Sequence, residues 1–581
     1  MDRAGCEPHR CLEGKRGGAA LSCKSGQRNG CAGNRYAEQP SCEAGLGVVC
    51  VRREGRRFAG PGAVLSPNHC FRRNNSGGLV GVALGDRGSG RSGSWYTAHM
   101  EPAIASNETS VDEGPVGRAR SLADLPAPRG LPLLGNLLQV DTTRFHLTLE
   151  AFWREHGDLF TFRLGAKRCL GVADPTLVRS IMRERPHDFT RISTMESTAR
   201  ELGMHGLFSA EGDDWKRQRT LIMPAFKDTN LVRRFETLQT ITHRLMLSLA
   251  PSALTGTPVT ILDPFMRYTV DVMAQVALGE DLNTVERGGD TLQRHFEVIF
   301  GMLLRRVLAP FPYWRYLKLP ADRALDRALA TAGQAITAMI ERAREKLAQD
   351  PARADAPETL LEAMLVAANS GGQKLTESEV LANVFTLLLA GEDTTANTLA
   401  WIVYFLARDP AMQSELRAEV DNVLGDEPVL QDHARIADMP LLTAIVHESL
   451  RLKGPAPFIA LAAARDLTLA DIKVPKGTAI FLLLRAVALR TPGLSNPEQF
   501  DPKRWLAANS STRTELARAS MPFGAGPRIC PGRQLALMEC ALAISALVKR
   551  YEISLVNTAP VREHFDFAME PEDLRVRIRP R

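Results

Sequence analysis

The sequence predicts a mainly α-helical fold with small β-sheets, preceded by a disordered N-terminal extension. From about residue 215 onward, apolar residues recur at three-to-four spacing, the period of an amphipathic helix. Ahead of that point, the short β-like runs "LFTFRLG" and "RCLGVA" alternate with helical stretches. Residues 1–99 keep neither period over a useful length, which is typical of disordered chain.

The Gly/Cys/Arg-rich leader, residues 1–99, is predicted to lie outside the folded body. It holds 7 of the 10 cysteines and 19 of the 45 glycines, and carries 15 basic against 7 acidic residues. The leader contains no CxxC pair, so a zinc site is weakly supported. A cysteine spacing of 19 recurs, and this spacing is consistent with a degenerate repeat or with a disulfide framework. Because the segment from Met100 resembles an ordinary cytosolic N-terminus, we interpret the leader as an over-extended start. An unrecognised targeting segment is the alternative.

The body, residues 100–581, is nearly neutral, with 57 basic and 59 acidic residues. This balance argues against a nucleic-acid partner. Three cysteines remain there, Cys169, Cys530 and Cys540, a scarcity that fits a reducing compartment. We therefore expect a cytoplasmic protein.

The apolar run at residues 380–407 predicts a buried helix. Glu392, Asp393 and several hydroxyls at its centre argue against a membrane span, so no transmembrane anchor is predicted. Thr376 and Glu379 have the spacing of a capping box, which places the helix start there. The helix is expected to end near Arg408 and to cross the domain.

The segment "FGAGPRICPG" at residues 523–532 places Cys530 in a Gly/Pro loop just before a strong helix. Gly524, Gly526 and Gly532 allow the backbone to turn sharply and to approach a flat ligand. The N-terminus of the following helix would favour a thiolate, which suits axial binding of a soft metal. A buried structural cysteine beside a glycine turn is the alternative interpretation.

This segment resembles the heme-binding loop of the cytochromes P-450, and the resemblance extends over about residues 120–575. The pattern F-G-x-G-x-R-x-C-x-G is filled by Phe523, Gly524, Gly526, Arg528, Cys530 and Gly532. It implies a cytochrome P-450 fold of the soluble, bacterial-like type for residues 100–581. It also implies heme b as cofactor, with Cys530 as the proximal iron ligand and the rest of the loop against the heme.

Further heme contacts are implied by "WKRQR". Trp215 and Arg219 lie four apart on a predicted helix, so both can face one ligand edge. By the resemblance they contact a heme propionate, and Arg528 does so from the other side. A basic amphipathic helix is the alternative. The sequence departs from the family at Leu461, where relatives often carry Arg or His for a propionate.

Two more motifs agree with the resemblance. "ESLR" and "FDPKRW" supply Glu448, Arg451 and Arg504, which by the resemblance form a buried structural network. In "AGEDTT", Ala390-Gly391 is expected to let a ligand approach mid-helix. The resemblance makes Asp393 and Thr394 the catalytic pair that relays protons during oxygen activation, and an incidental polar patch is the alternative.

The resemblance implies a monooxygenase that inserts one atom of O₂ into a lipophilic substrate such as a fatty acid, terpenoid or aromatic. Electrons would come from NAD(P)H through a separate ferredoxin- or flavodoxin-type donor and its reductase. A peroxygenase or isomerase of the same fold, and a non-catalytic heme-thiolate sensor, remain alternatives.

Two surfaces follow from this expectation. A cluster of cations is expected to dock an acidic electron donor, and it comprises Lys216, Arg217, Lys227 and Arg533. Four apolar segments are candidates for the substrate pocket: residues 191–206, 300–314, 387–390 and 458–459.

Overall fold

The computed structural model describes residues 70–73, 79–82 and 119–581, apart from 227, 289–290, 310, 370–374 and 507–509. The chain forms two compact units, Met1–Ser92 and Gly93–Arg581. In the first unit the described residues form an antiparallel hairpin of β1 (Cys70–Arg73) and β2 (Leu79–Val82). These eight residues include one phenylalanine and two valines, residue types that favour strands. The other predictions for the leader fall outside the described residues.

Helices dominate the second unit, as predicted. They are α1 (Phe145–His156), α2 (Pro175–Arg183), α3 (Ser193–Glu201), α4 (Gly212–Ile222), α5 (Asp228–Val232), α6 (Phe235–Thr255), α7 (Leu262–Met273), α8 (Thr284–Arg287), α9 (Thr291–Leu308), α10 (Pro320–Gln349), α11 (Ala352–Asp355), α12 (Leu360–Asn369), α13 (Glu377–Arg408), α14 (Pro410–Leu424), α15 (Pro440–Lys453), α16 (Leu484–Leu489), α17 (Lys503–Leu506), α18 (Ser510–Ala519) and α19 (Arg533–Arg550).

Small sheets pack beside this helical body. Their strands are β3 (Arg120–Ser121), β4 (Leu159–Leu164), β5 (Lys167–Val172), β6 (Phe189–Arg191), β7 (Val259–Thr260), β8 (Ile459–Ala463), β9 (Leu467–Leu469), β10 (Ile472–Val474), β11 (Ala479–Leu482), β12 (Tyr551–Leu555), β13 (Arg562–Phe565), β14 (Met569–Glu572) and β15 (Arg575–Pro580). The sheet orders are β3-β10-β9, β4-β5-β11-β8-β6 and β12-β15-β7, with β13-β14 as a separate hairpin. The two predicted β-like runs form β4 and β5.

The long central helix α13 begins and ends where the sequence predicts. The Thr376 hydroxyl accepts a bond from the Glu379 amide at 3.2 Å, and the Glu379 carboxylate accepts one from the Thr376 amide at 2.8 Å. This capping box satisfies two amides that a helix start would otherwise leave unpaired. Within the described part of the chain, no helix has the length and continuous apolar character needed to cross a membrane.

A buried ion network fixes the base of the β13–β14 hairpin. The Glu563 carboxylate lies 2.7 Å from His146 Nε2, accepts a bond from Arg485 at 2.9 Å, and pairs with Lys453. Arg485 also donates to Glu150 of α1 at 2.6 Å. Burial alone would raise the pKa of Glu563, but the hydrogen bond with His146 and the charges of Arg485 and Lys453 lower it below its usual value. The network therefore joins the hairpin to α1, α15 and α16.

Candidate active site

The Cys530 loop is shaped by close packing against α2. The Cys530 amide donates to the Phe523 carbonyl oxygen at 2.9 Å, which closes the loop. Gly524 and Gly526 have φ values of +73° and +67°, which side chains other than glycine rarely adopt. A Cβ on Gly526 would lie 2.4 Å from the Met182 carbonyl oxygen. Both glycines are thus required by the turn and by its packing.

The Cys530 thiol is accessible although it lies deep within the fold. Cys530 is exposed, yet burial is the main influence on its thiol and raises the pKa of that thiol. The amides of Gly532 and Arg533, at the start of α19, and the charge of Arg219 act in the opposite direction. The sequence predicted that the helix start would favour the thiolate; these amides do so, but burial outweighs them.

Two arginines lie close to the Trp215 ring. The guanidinium of Arg528 is 4.2 Å from the centre of the Trp215 ring, and that of Arg219 is 5.9 Å away. Arg528 bonds to Glu211 and to the Ala210 carbonyl oxygen, but its buried Nε has no hydrogen-bond partner. Among the described residues, no carboxylate pairs with Arg219. The three predicted propionate contacts are therefore brought together, with donors left to bind an anion.

A further cation, Arg191 of β6, was missed by the sequence prediction. Arg191 pairs in register with Leu461 of β8, the position where a basic residue was expected. Leu461 itself is fully buried. The Arg191 guanidinium lies 3.9 Å from the centre of the Phe208 ring, and its Nε donates to the Phe208 carbonyl oxygen. The strand next to Leu461 thus carries the positive charge that Leu461 lacks.

These arginines are more numerous than the carboxylates around them. Glu211 accepts bonds from Arg528 and from the Arg191 amide, and lies 3.8 Å from Arg185. Burial, followed by the neighbouring charges of Arg185 and Arg528, lowers the pKa of Arg191 to about 9. Three cations around one carboxylate make this pocket suited to binding further negative charge.

On α13, Ala390 is exposed in the middle of a helix whose neighbouring residues are largely buried. The Thr394 hydroxyl donates to the Ala390 carbonyl oxygen at 2.7 Å, one turn earlier. Asn397 donates to the Asp393 carboxylate at 2.8 Å. Burial, followed by the charges of the nearby Glu570 and Asp566 carboxylates, raises the pKa of Asp393 to about 7. This acid can therefore gain and lose a proton near neutral pH.

Gly391 has a different role from the one that the sequence suggested. A Cβ there would lie 2.3 Å from the Met273 sulfur of α7. The glycine is needed because α7 packs closely against α13, whereas the accessible face of the helix is provided by Ala390. The prediction that Gly391 admits a ligand is therefore corrected.

An apolar cavity adjoins this face of α13. Three of the four predicted segments contribute to it, through Met195, Ala199, Met204, Phe300, Leu303, Leu389 and Ala390. The fourth segment does not, because Phe458 packs among Phe145, Phe481 and Phe565.

The sequence prediction missed three further residues of this wall. They are Phe208, Thr386 and Phe567, the last at the tip of the β13–β14 hairpin. The Phe567 ring centre lies 5.0 Å from that of Phe300 and 5.8 Å from that of Phe208. Three aromatic rings from distant segments therefore close one side of the cavity, and no local pattern signals their meeting.

The predicted structural network is present and fully buried. Glu448 accepts two bonds from Arg451 at 2.8 Å and pairs with Arg504 at 2.9 Å. Trp505, which the sequence did not single out, donates to the same carboxylate at 2.8 Å.

The cations expected to dock an electron donor differ in how far neighbouring carboxylates offset their charge. Arg217 pairs with Glu379 and Asp214, so much of its charge is offset. Lys216 is exposed and lies 3.3 Å from Asp213, whereas Lys227 is outside the described residues.

The described residues fit a heme group. Cys530 is exposed, one buried Arg528 nitrogen lacks a partner, and an excess of cations surrounds Glu211. A flat cofactor with two carboxylates would supply acceptors for those donors and a metal for the sulfur.

Comparison with known proteins identifies relatives of this chain. The family model described as Cytochrome P450 matches residues 125–577. The chain is 30% identical over 459 residues to cyclooctat-9-en-7-ol 5-monooxygenase of Streptomyces melanosporofaciens, with 76% of this chain and 94% of that protein covered. It is 27% identical over 459 residues to pentalenene oxygenase of Streptomyces avermitilis, with 78% and 97% covered. The crystal structure of the cytochrome P450DA heme domain has a similar fold, with a TM-score of 0.70, 24% identity, and 80% of this chain and 99% of that chain covered.

Proposed function

Because the chain belongs to the cytochrome P450 family and is an oxygenase of that family, we propose that it inserts one atom of O₂ into a compact apolar substrate. The observation that carries this proposal is the placement of the Thr394 hydroxyl beside Ala390, a residue of the apolar cavity wall. A proton-donating group and a hydrocarbon-binding surface are thereby presented by one face of α13.

In this proposal, the chain holds the cofactor through one sulfur and several cations. Heme bound through Cys530 would supply the dioxygen chemistry. Trp215, Arg219 and Arg528 would hold its carboxylates. Arg191 adds the contact that Leu461 does not provide, because the two residues are register partners on neighbouring strands.

Asp393 and Thr394 deliver protons. The raised pKa of Asp393, about 7, lets the carboxyl group hold a proton near neutral pH and pass it on. As the pH rises through 7, Asp393 loses that proton, so the yield of product per NAD(P)H should fall. The Thr394 hydroxyl bonds to a backbone oxygen and can orient a water molecule between Asp393 and the reacting centre.

The proposed substrate is a terpenoid rather than a fatty acid. No charged side chain lines the cavity among the described residues, so a carboxylate would be buried there without a partner. Two relatives are named for oxidising cyclooctat-9-en-7-ol and pentalenene. These names make pentalenene a reasonable first probe.

Electrons are proposed to come from NAD(P)H through a separate ferredoxin- or flavodoxin-type donor and its reductase. Exposed Lys216 supports an acidic donor, although its charge is shared with Asp213. A cytoplasmic location stays a prediction.

Replacing Thr394 with alanine should uncouple the reaction, because it removes the hydroxyl and leaves the cavity and Cys530 loop intact. With pentalenene as probe, NAD(P)H consumption should stay near the wild-type rate while hydrogen peroxide rises and hydroxylated product falls. Thr398→Ala is the matched control, since Thr398 makes the same type of bond one turn later, to the Thr394 carbonyl oxygen at 2.8 Å. Full coupling in Thr394→Ala would contradict the proposed role and favour a peroxygenase or isomerase.

Replacing Arg191 with alanine should weaken heme retention. A hydrogen bond to a charged group contributes about 1.5–3 kcal/mol, so the rate of heme transfer to apomyoglobin should rise by about ten-fold or more. Arg191→Lys should restore part of the retention. Arg465→Ala, which removes an exposed arginine paired with Asp188, should leave the rate unchanged. Equal rates in Arg191→Ala and wild type would exclude Arg191 as a cofactor contact.

A further inference from the structure

The β13–β14 hairpin presents two chemically different surfaces near α13. Phe567 at its tip lines the apolar cavity, whereas His564, Asp566 and Glu570 carry titratable side chains. His564 and Glu570 are register partners, and His564 Nδ1 lies 2.8 Å from Glu570 Oε1. About one third of each side chain is exposed, at 33%. This hydrogen-bonded pair therefore contacts solvent.

The strand that carries Glu570 is held against α13. The Trp401 indole nitrogen donates to the Met569 carbonyl oxygen at 3.2 Å, which holds the residue before Glu570 on the helix. Trp401 lies about two turns beyond Asp393, and Asn397 lies between them and bonds to the Asp393 carboxylate. The hairpin thus runs along the same helix that carries Asp393.

The electrostatics agree with this placement. After burial, the largest influence on the pKa of Asp393 is the charge of Glu570, followed by that of Asp566. Burial also raises the pKa of Glu570, while its bond to His564 lowers it. The two carboxyl groups are therefore close enough to feel each other's charge, in surroundings that favour protonation of both.

We propose that His564 and Glu570 form the solvent-facing start of the proton path that supplies Asp393. The path rests on the proposed function, because Asp393 must deliver protons for it to matter. His564 takes a proton from water at one ring nitrogen and gives one from the other to Glu570. Glu570 then passes a proton toward Asp393, with water between them where needed. Each group gains one proton and loses one, which leaves His564 in its other tautomer. Rotation of the ring or exchange of its ring protons with water then returns His564 to the starting tautomer.

Other titratable groups face this path and set its background charge. Glu392, next to Asp393 on α13, is buried, and one of its carboxyl oxygens has no hydrogen-bond partner. Burial, followed by the charges of Asp393 and Glu297 of α9, raises the pKa of Glu392 well above its usual value. Asp566 packs against Gly301 of α9, and Glu572 adds negative charge beside Glu570.

Three nearby cations reduce that charge without contacting Asp393. Arg294 acts on Glu297, and Arg144 and Arg562 pair with Glu572 at 3.2 and 3.1 Å. None of them offers Asp393 a route to solvent, whereas His564 and Glu570 are partly exposed.

The test compares Glu570→Gln and His564→Gln with wild type, using the full chain loaded with heme, a ferredoxin–reductase pair and pentalenene. Both variants should slow turnover several-fold and increase the solvent deuterium isotope effect. Glu570→Asp should restore part of the rate. Glu552→Gln, on an exposed position of β12, is the control and should match wild type.

A second readout needs no turnover. In infrared difference titrations, Glu570→Gln should lower the pKa at which the Asp393 carboxyl band disappears, because a negative charge is removed. Asp393→Asn, which should abolish that band and slow turnover, separates the outcomes. If Asp393→Asn turns over slowly while Glu570→Gln and His564→Gln keep the wild-type rate and isotope effect, the proposed path is wrong and the proposed function stands. Wild-type rate and isotope effect in Asp393→Asn would overturn both.

Discussion

Replacing Cys530 with alanine is expected to abolish the red-shifted Soret band that the reduced protein gives with carbon monoxide. That band requires a thiolate opposite the gas ligand, and Cys530 is the exposed thiol among the described residues. Heme content should fall as well, because the sulfur is the proposed bond to the metal. The measurement is a reduced-carbon-monoxide difference spectrum on equal amounts of protein.

The matched controls are Cys169→Ala and Cys540→Ala. Both thiols are buried, and burial raises the pKa of Cys169 to about 12, so neither is suited to form a thiolate. Each control should keep the thiolate spectrum. A normal spectrum in Cys530→Ala, or its loss in a folded control, would refute the assignment of the ligand.

Replacing Glu448 with alanine is expected to destabilise the fold by about 3–5 kcal/mol. The change leaves Arg451 and Arg504 buried without the carboxylate that both contact, and it removes the acceptor of the Trp505 indole. Chemical denaturation monitored by circular dichroism would measure the loss.

The chain contains a matched control for this pair in "ELAR". Glu515 and Arg518 have the same spacing and lie 2.9 Å apart, but their side chains are 42% and 51% exposed. Glu515→Ala should change stability by less than about 1 kcal/mol, because solvent screens an exposed pair. Equal denaturation midpoints for the two variants would show that the buried network does not stabilise the fold.

The sequence predicts those parts of the fold that depend on neighbouring residues. The limits of α13 follow from Thr376, Glu379 and the Asp409-Pro410 pair, all of which act within one turn of the helix ends. The glycines of the Cys530 loop follow from the same kind of local requirement. Strand order is different: β6 pairs with β8, and no pattern near either strand identifies the other.

In the candidate site too, contacts within one helix could be predicted from the sequence, whereas contacts between distant segments could not. Trp215 and Arg219 are four residues apart on one helix, so their proximity could be predicted. Arg191 could not, because its relation to Leu461 depends on the register of two strands far apart in the chain. Gly391 was misread because a glycine can serve a ligand or a neighbouring helix, and the sequence does not reveal Met273 on the other side.

The network at the base of the hairpin has a consequence for synthesis of the protein. His146 and Glu563 are 417 residues apart. At typical translation rates of 5–20 residues per second, roughly 20–80 s separate their appearance. Through that interval, His146 and Glu150 in the nascent chain lack the C-terminal partners that accompany their burial. We expect α1 to dock late, although it is synthesised before every other α-helix among the described residues.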